Sequence, residues 1–375
     1  MEIAQRQEDG LPGVTGHGSL DARRQWHDPD REGYRPIGVL RGGHAQTLLG
    51  NYWRRPELAV TPVAEPVLVD GSDGSRVLCH CHWQRAAGVV CRDRLAVVLV
   101  HGLEGSSESG YIRGITGLAW RAGCSVIRMN MRNCGGTEAW TPTLYHSGLS
   151  GDVRAVLEHF AGEHGLERMA MVGYSMGGNL VLKLAGELGG VAAPGWLRAV
   201  AAVSPVTDLA ESADALHEAG NRLYEWNFLG RLMRRFRHKA ELFPDIYSAD
   251  GVRGIRSIRE FDDRVTARYS GFRDADDYYF RASSARVVEA IRLPTLLIHA
   301  LDDPFIRMRA DTRERLAANE AVDLMETSRG GHCAFLASRA GDERHWAEAT
   351  VVRYLMAHGS MDGAEIARGE GMDGG

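Results

Sequence analysis

Three short stretches hold residue types that could carry out acyl transfer together. In "VGYSMGGN", Ser175 lies between Gly173 and Gly177 in a G-x-S-x-G pattern. The apolar run before it reads as a buried strand and the run after it as a helix, so the serine falls on a sharp strand-to-helix bend. Bulky neighbours two residues away would collide with that turn, which accounts for the glycines. A serine hydroxyl is a weak nucleophile at neutral pH. It needs a base to take its proton, and the base needs an acid to orient it. The stretch "SRGGHCAFL" presents His332 on a glycine loop, and "PTLLIHALDDPFI" runs from a buried strand into Asp302 and Asp303. Serine, then acid, then histidine is the chain order such a bend calls for.

Both aspartates stand where the acid belongs. Asp303 is preferred because the usual spacing places the acid just before a Pro-aliphatic stretch, here Pro304 onward. Asp302 then bonds local backbone, and stays open as the alternative. Upstream, "VLVHGLEGSSES" ends another strand, and the backbone N–H groups of Leu103 and Met176 are the candidates to hold a tetrahedral oxyanion. The helix after Ser175 adds free N–H groups and a positive dipole end. His101 reads as structural. Glu104 is unusual beside a site that must stabilise negative charge, and is expected to point away.

These residues need a scaffold. "EPVLVD" and "RVLCHCHW" flank the turn signal "GSDGS" and read as an antiparallel pair. "LAVVLVHG", "CSVIRMN", "RMAMVGYS", "LRAVAAVSP", "PTLLIHALDD" and "AVDLMET" are nearly continuously apolar, as strands covered on both faces should be. Helical patterns lie between them; Val153, Val156, Leu157 and Phe160 recur at i, i+3, i+4, i+7. The alternation predicts an α/β fold with a mostly parallel sheet and helices on both faces. The chain divides into a loose arm over 1–30, a core over 31–204, an inserted helical cap over 205–293, the remaining core over 294–360 and a tail over 361–375.

Composition narrows the function. A formal net charge of −5 gives no reason to expect nucleic acid as a partner. No apolar run approaches the ~18 residues that span a bilayer, and the first residues lack the order of a signal peptide. Six scattered cysteines read as reduced cytoplasmic thiols. In an extended strand Cys79 and Cys81 face one way and His80 and His82 the other, against a metal site there. No cofactor is expected.

The blocks "RGGHAQTLLGNYWRR", "NMRNCGGTEAWTPTLYHSGLSGDV", "VGYSMGGN", "FDDRVTARYSGFRDADDYYFRASSA" and "LIHALDDPFI" together resemble the YheT-type α/β-hydrolases. These bacterial proteins are related to eukaryotic α/β-hydrolase-domain lipases and yeast ethanol acyltransferases. The resemblance runs from about Arg35 to Met356. It implies an α/β-hydrolase fold, a Ser-Asp-His triad carried by Ser175, Asp303 (or Asp302) and His332, and esterase- or lipase-like action on acyl esters without a cofactor. The eukaryotic relatives carry an N-terminal membrane anchor. This chain shows none, so a membrane-bound role is not expected to carry over.

In "NFLGRLMRRFRHKAELF", Leu229, Leu232, Met233 and Phe236 share one helical face, with Arg231, Arg234, Arg235 and Arg237 around the rest. The expectation is a cap helix packed on the body with its arginines in solvent; contact with an anionic membrane surface is the alternative. Asn133, Cys134, Tyr145 and His146 fall on loops above the strand ends and are expected to brace them. The reading is a serine hydrolase cleaving carboxylic esters. The alternatives are an acyltransferase passing the acyl group to an alcohol and a non-catalytic binding protein of the same fold.

Overall fold

The computed structural model describes residues 34–359 except 39, 54, 56–61, 72, 192 and 339–343. The arm read over 1–30 and the tail over 361–375 lie outside the described residues. The strands are β1 (Glu65–Asp70), β2 (Arg76–His82), the short hairpin β3 (Arg85–Ala86) and β4 (Val89–Val90), β5 (Ala96–Val100), β6 (Ser125–Met129), β7 (Met169–Tyr174), β8 (Leu197–Val203), β9 (Thr295–Ala300) and β10 (Val322–Thr327). Apart from the hairpin, they form one eight-stranded sheet in the order β1-β2-β6-β5-β7-β8-β9-β10. Only β2 runs against its neighbours; every other pairing in the sheet is parallel.

Side chains alternate between two apolar layers. Val98 and Val100 of β5 face one layer with α3 (Ser150–Gly162) and α4 (Met176–Gly189). Val97 and Leu99 face the other with α2 (Gly110–Arg121) and α10 (Trp346–Gly359). Every residue of β5, β6, β7 and β9 is buried, which is why these strands show no polar alternation in sequence. The α3 face is Val153, Val156, Leu157 and Phe160, as its periodicity requires. Cys79 and Cys81 turn into the first layer.

Between β8 and β9 the chain makes a long helical excursion with no strand: α5 (Leu209–His217), α6 (Arg222–Leu242), α7 (Ile258–Phe261), a π-helical stretch over Asp262–Ala267, and α8 (Ala275–Ala282). It has an apolar cluster of its own, which Phe305, Ile306 and Leu103 join from the body. A cluster spanning both parts holds the helices over the carboxyl ends of the strands. The remaining helices are α1 (Gly43–Tyr52), ahead of the sheet, and α9 (Ala310–Ala317), between β9 and β10. No helix among the described residues is long and apolar enough to cross a membrane.

Candidate active site

Ser175 sits between the end of β7 and the start of α4 with φ +54° and ψ −116°, a conformation costly for any side-chain-bearing residue. Neighbours hold it there. Its N–H donates to Val203 O at 2.9 Å, and its carbonyl accepts from Asn179 and Val206 at 3.1 and 3.3 Å. The flanking glycines are sterically required. A Cβ at Gly173 would fall 2.1 Å from Gly177 O, and one at Gly177 would fall 2.3 Å from Val100 O. Backbone, unlike a flexible side chain, has no room to yield.

The His332 loop is held from three sides. Gly331 N–H donates to Asp302 Oδ1 at 2.9 Å, His332 N–H to Thr47 Oγ1 on α1 at 2.8 Å, and Cys333 N–H to Ser204 Oγ at 3.1 Å. Gly43 of α1 packs so closely on the Asp302 carbonyl that a Cβ would lie 1.8 Å from it. This role of α1 was not legible from residue types; "GGHAQT" carries no signal of bracing a loop that far along the chain.

The side chains of the three segments meet. His332 Nε2 lies 3.0 Å from Ser175 Oγ, and His332 Nδ1 lies 2.8 Å from Asp303 Oδ2. The other oxygen of Asp303 accepts the N–H groups of Phe305 and Ile306 at 3.1 and 3.0 Å. Of the two aspartates, then, Asp303 faces the imidazole and Asp302 holds the loop backbone. Burial by itself would raise the Asp303 carboxyl, but the His332 ring and its hydrogen bond hold it below the ordinary value. Asp302 lacks that partner, and burial leaves it raised. For His332, burial opposes the charged ring. The adjoining Cys333 sulfur and Asp303 carboxylate outweigh it and hold the imidazole above its ordinary value.

Leu103 and Met176 both line the cavity that opens at Ser175. Met176 opens α4, where the first N–H groups have no intrahelical acceptor. His101 is structural: Nε2 accepts the Met131 N–H at 3.1 Å, which leaves Nδ1 to donate to Gly102 O at 2.8 Å. Burial pulls it down to about 4, so it stays neutral.

Glu104 stays out of the cavity lining, and a buried network compensates its charge. Its carboxylate accepts from Tyr145 OH at 2.5 Å and from Arg235 Nε at 2.9 Å. Its carbonyl accepts from Arg231 Nη2 at 2.5 Å. Arg235 also reaches Asn133 O and Glu138 Oε1. Lys239, fully buried, donates to Asn133 Oδ1, Glu138 O and Thr141 O. Burial lowers its ammonium to about 8. This corrects one expectation about α6. Leu229, Leu232 and Phe236 do pack inward, and Arg234 and Arg237 are exposed, but Arg235 turns toward the body and Arg231, though still half-exposed, reaches Glu104 as well. They answer a buried carboxylate that the amphipathic pattern could not reveal. Near its start α6 also leaves Leu223 and Trp226 exposed, one turn apart on the helix.

The cavity encloses about 1030 Å³, its open mouth included. Its walls are mainly apolar, with Val206, Leu209, Phe228, Leu232, Phe305 and Ile306 prominent. Asn133, Tyr145 and His146 also line it, while Cys134 is fully buried behind them. Asn133 braces its loop as well, donating to Thr143 O at 2.6 Å. Among the described residues no three His, Cys, Asp or Glu side chains converge to hold a metal ion.

A mostly parallel, helix-covered sheet with a serine at the β7–α4 bend defines an α/β-hydrolase. A family model described as the alpha/beta hydrolase fold matches residues 96–338, and the chain belongs to that family. It is similar to YheT of Escherichia coli (strain K12), with 30% identity over 326 residues covering 86% of this chain and 93% of that protein. It is also similar to the phospholipase ABHD3 of Mus musculus, with 32% identity over 334 residues covering 86% of this chain and 78% of that one. The monoacylglycerol lipase of Saccharomyces cerevisiae is 28% identical over 268 residues, 69% of this chain and 58% of the lipase. The resemblance read from the sequence blocks thus extends over most of the chain. Among solved structures, the esterase Pf2001 of Pyrococcus furiosus shares the fold, with a TM-score of 0.54 at 16% identity over 82% of this chain and 97% of that one.

Proposed function

We propose that the protein hydrolyses carboxylic esters through an acyl-enzyme on Ser175. The observation that supports this most directly is the unbroken series from Asp303 through His332 to Ser175, with contacts of 2.8 and 3.0 Å. Phe305 and Ile306 N–H groups occupy one Asp303 oxygen, leaving the other to accept the Nδ1 proton of His332. That tautomer leaves Nε2 unprotonated, facing the hydroxyl as a base.

His332 takes the Ser175 proton as Oγ attacks the ester carbonyl. The Leu103 and Met176 N–H groups receive the oxyanion, and the alcohol leaves with the proton from His332. Water, activated by the same ring, then releases the acid. The apolar walls suit a hydrocarbon acyl chain, in keeping with relatives named as a lipase and a phospholipase. Stopped-flow mixing with a 4-nitrophenyl ester tests the covalent step. The expected trace is a burst of nitrophenolate stoichiometric with enzyme, and an acyl adduct by intact mass when the reaction is quenched. No adduct on any chain length, together with no labelling by a fluorophosphonate, would contradict the proposal.

A further inference from the structure

Three permanently or commonly charged side chains line the cavity: Arg235, Lys239 and Asp262. The first two have their charges answered, Arg235 by Glu104 and Glu138 and Lys239 by three oxygen acceptors. Asp262 is different. Its two oxygens accept only from neutral hydroxyls, Thr266 Oγ1 at 2.7 Å and Tyr279 OH at 2.8 Å, and among the described residues it forms no ion pair. The nearby Arg259 stacks on the Tyr279 ring at 5.1 Å and pairs with Asp214 and Asp276 instead. Burial pushes the Asp262 carboxyl up to about 6, against its two hydroxyl donors and the more distant Arg259, which makes no ion pair with it.

The placement is also unusual. Asp262 opens the π-helical stretch over Asp262–Ala267, a distortion that often marks functional positions. Tyr279, which bonds it, and Tyr278 line the same cavity, with His146 edge-on to Tyr278 farther along the wall. His146 Nδ1 accepts the Gly148 N–H at 3.1 Å, so its proton sits on Nε2. Each Asp262 oxygen keeps a lone pair beyond the bond it already makes. An uncompensated carboxylate on the wall of an apolar cavity is costly, and such groups cluster where ligands bind.

We infer that Asp262 receives a hydrogen-bond donor of the substrate, a hydroxyl or an ammonium group. The natural ester is therefore not a plain hydrocarbon. It carries such a donor apart from the scissile bond. This rests on the cavity being the substrate site of the proposed esterase.

Matched esters differing only in a terminal methyl, hydroxyl or ammonium group test it, with the donor placed first on the acyl chain and then on the alcohol, over a series of lengths. Wild-type kcat/KM should favour a donor-bearing ester over its methyl match by at least ~10-fold at the best length. Asp262→Leu should abolish that preference; Asp262→Asn should keep it for the hydroxyl and lose it for the ammonium. A wild-type enzyme that favours the methyl ester at every length overturns the inference, even if the variants fail to fold. So does an Asp262→Leu variant with an unchanged ratio or an equal loss on all esters. The methyl ester assayed with Ser175→Ala is the control: undiminished turnover there would mean that the esterase reading itself has failed.

Discussion

Arg235 of α6 and Glu104 of the loop after β5 form a 2.9 Å ion pair in which the carboxylate is almost wholly buried. Glu104 follows Leu103 directly and has φ +57°, a left-handed conformation that a glutamate does not adopt without restraint. Its carbonyl and carboxylate are both held from α6, and its N–H donates to Tyr145 OH at 3.3 Å. The helical excursion thus fixes the residue next to Leu103, the proposed oxyanion donor. Removing the guanidinium leaves the buried carboxylate with only Tyr145 OH and the more distant Arg231, so Arg235→Ala should lose up to about 3 kcal/mol of stability. It should also lower kcat roughly 10-fold or more with a smaller change in KM, because the proposed role of the Leu103 N–H is in the transition state. Adding Glu104→Gln should recover much of the stability, read by thermal melts. A fall in KM affinity alone, with kcat intact, would speak against the coupling.

The two aspartates should separate cleanly. Asp303→Asn removes the acceptor that fixes the His332 tautomer and should lower kcat about 10⁴-fold, as replacing the acid of such a triad does. Asp302→Asn keeps an oxygen for the Gly331 N–H and should cost less than about 10-fold. Steady-state assays of both variants on one ester decide it. Equal losses would return Asp302 to contention.

The pH profile follows from the His332 environment. The base form is the neutral ring, and His332 is held above its ordinary 6.5, so kcat/KM should rise with pH through a midpoint above 6.5. Asp303→Asn removes the charge that stabilises the imidazolium and should move the midpoint down. A midpoint below 6.5 in the wild type would contradict the charge pairing.

Gly177→Ala should be worse than an ordinary Gly→Ala change. The new methyl would press on Val100 O and His101 O, 2.3 and 2.5 Å away, at the end of β5. Loss of soluble folded protein, or a melting point lowered by several degrees with activity nearly absent, is expected. A variant with near-normal melting and turnover would mean that the bend is looser than described.

Much of this site is local in sequence, and that part was legible. A strand, a glycine pair around Ser175 and a helix lie within twenty residues, and buried strands announce Asp303 and His332 from their own ends. The choice between Asp302 and Asp303 needed the fold, because adjacent residues at a strand end point in different directions and only geometry says which meets the imidazole. Arg235, Lys239 and Glu104 were harder still. Their partners lie about a hundred residues away, so on a helical wheel Arg235 and Lys239 look like solvated charge, and nothing near Glu104 in the chain names the cation it meets. Asp262 was invisible for another reason. Nothing in "FDDRV" distinguishes an aspartate on a cavity wall from the exposed one beside it.

Ser175 is the proposed nucleophile, and replacing its hydroxyl is the sharpest check on the whole mechanism. Purified Ser175→Ala, shown to melt like the wild type, should hydrolyse 4-nitrophenyl esters at least ~10⁴-fold more slowly and take up no fluorophosphonate. Turnover within a few-fold of the wild type, or labelling that persists, would place the chemistry elsewhere in the molecule.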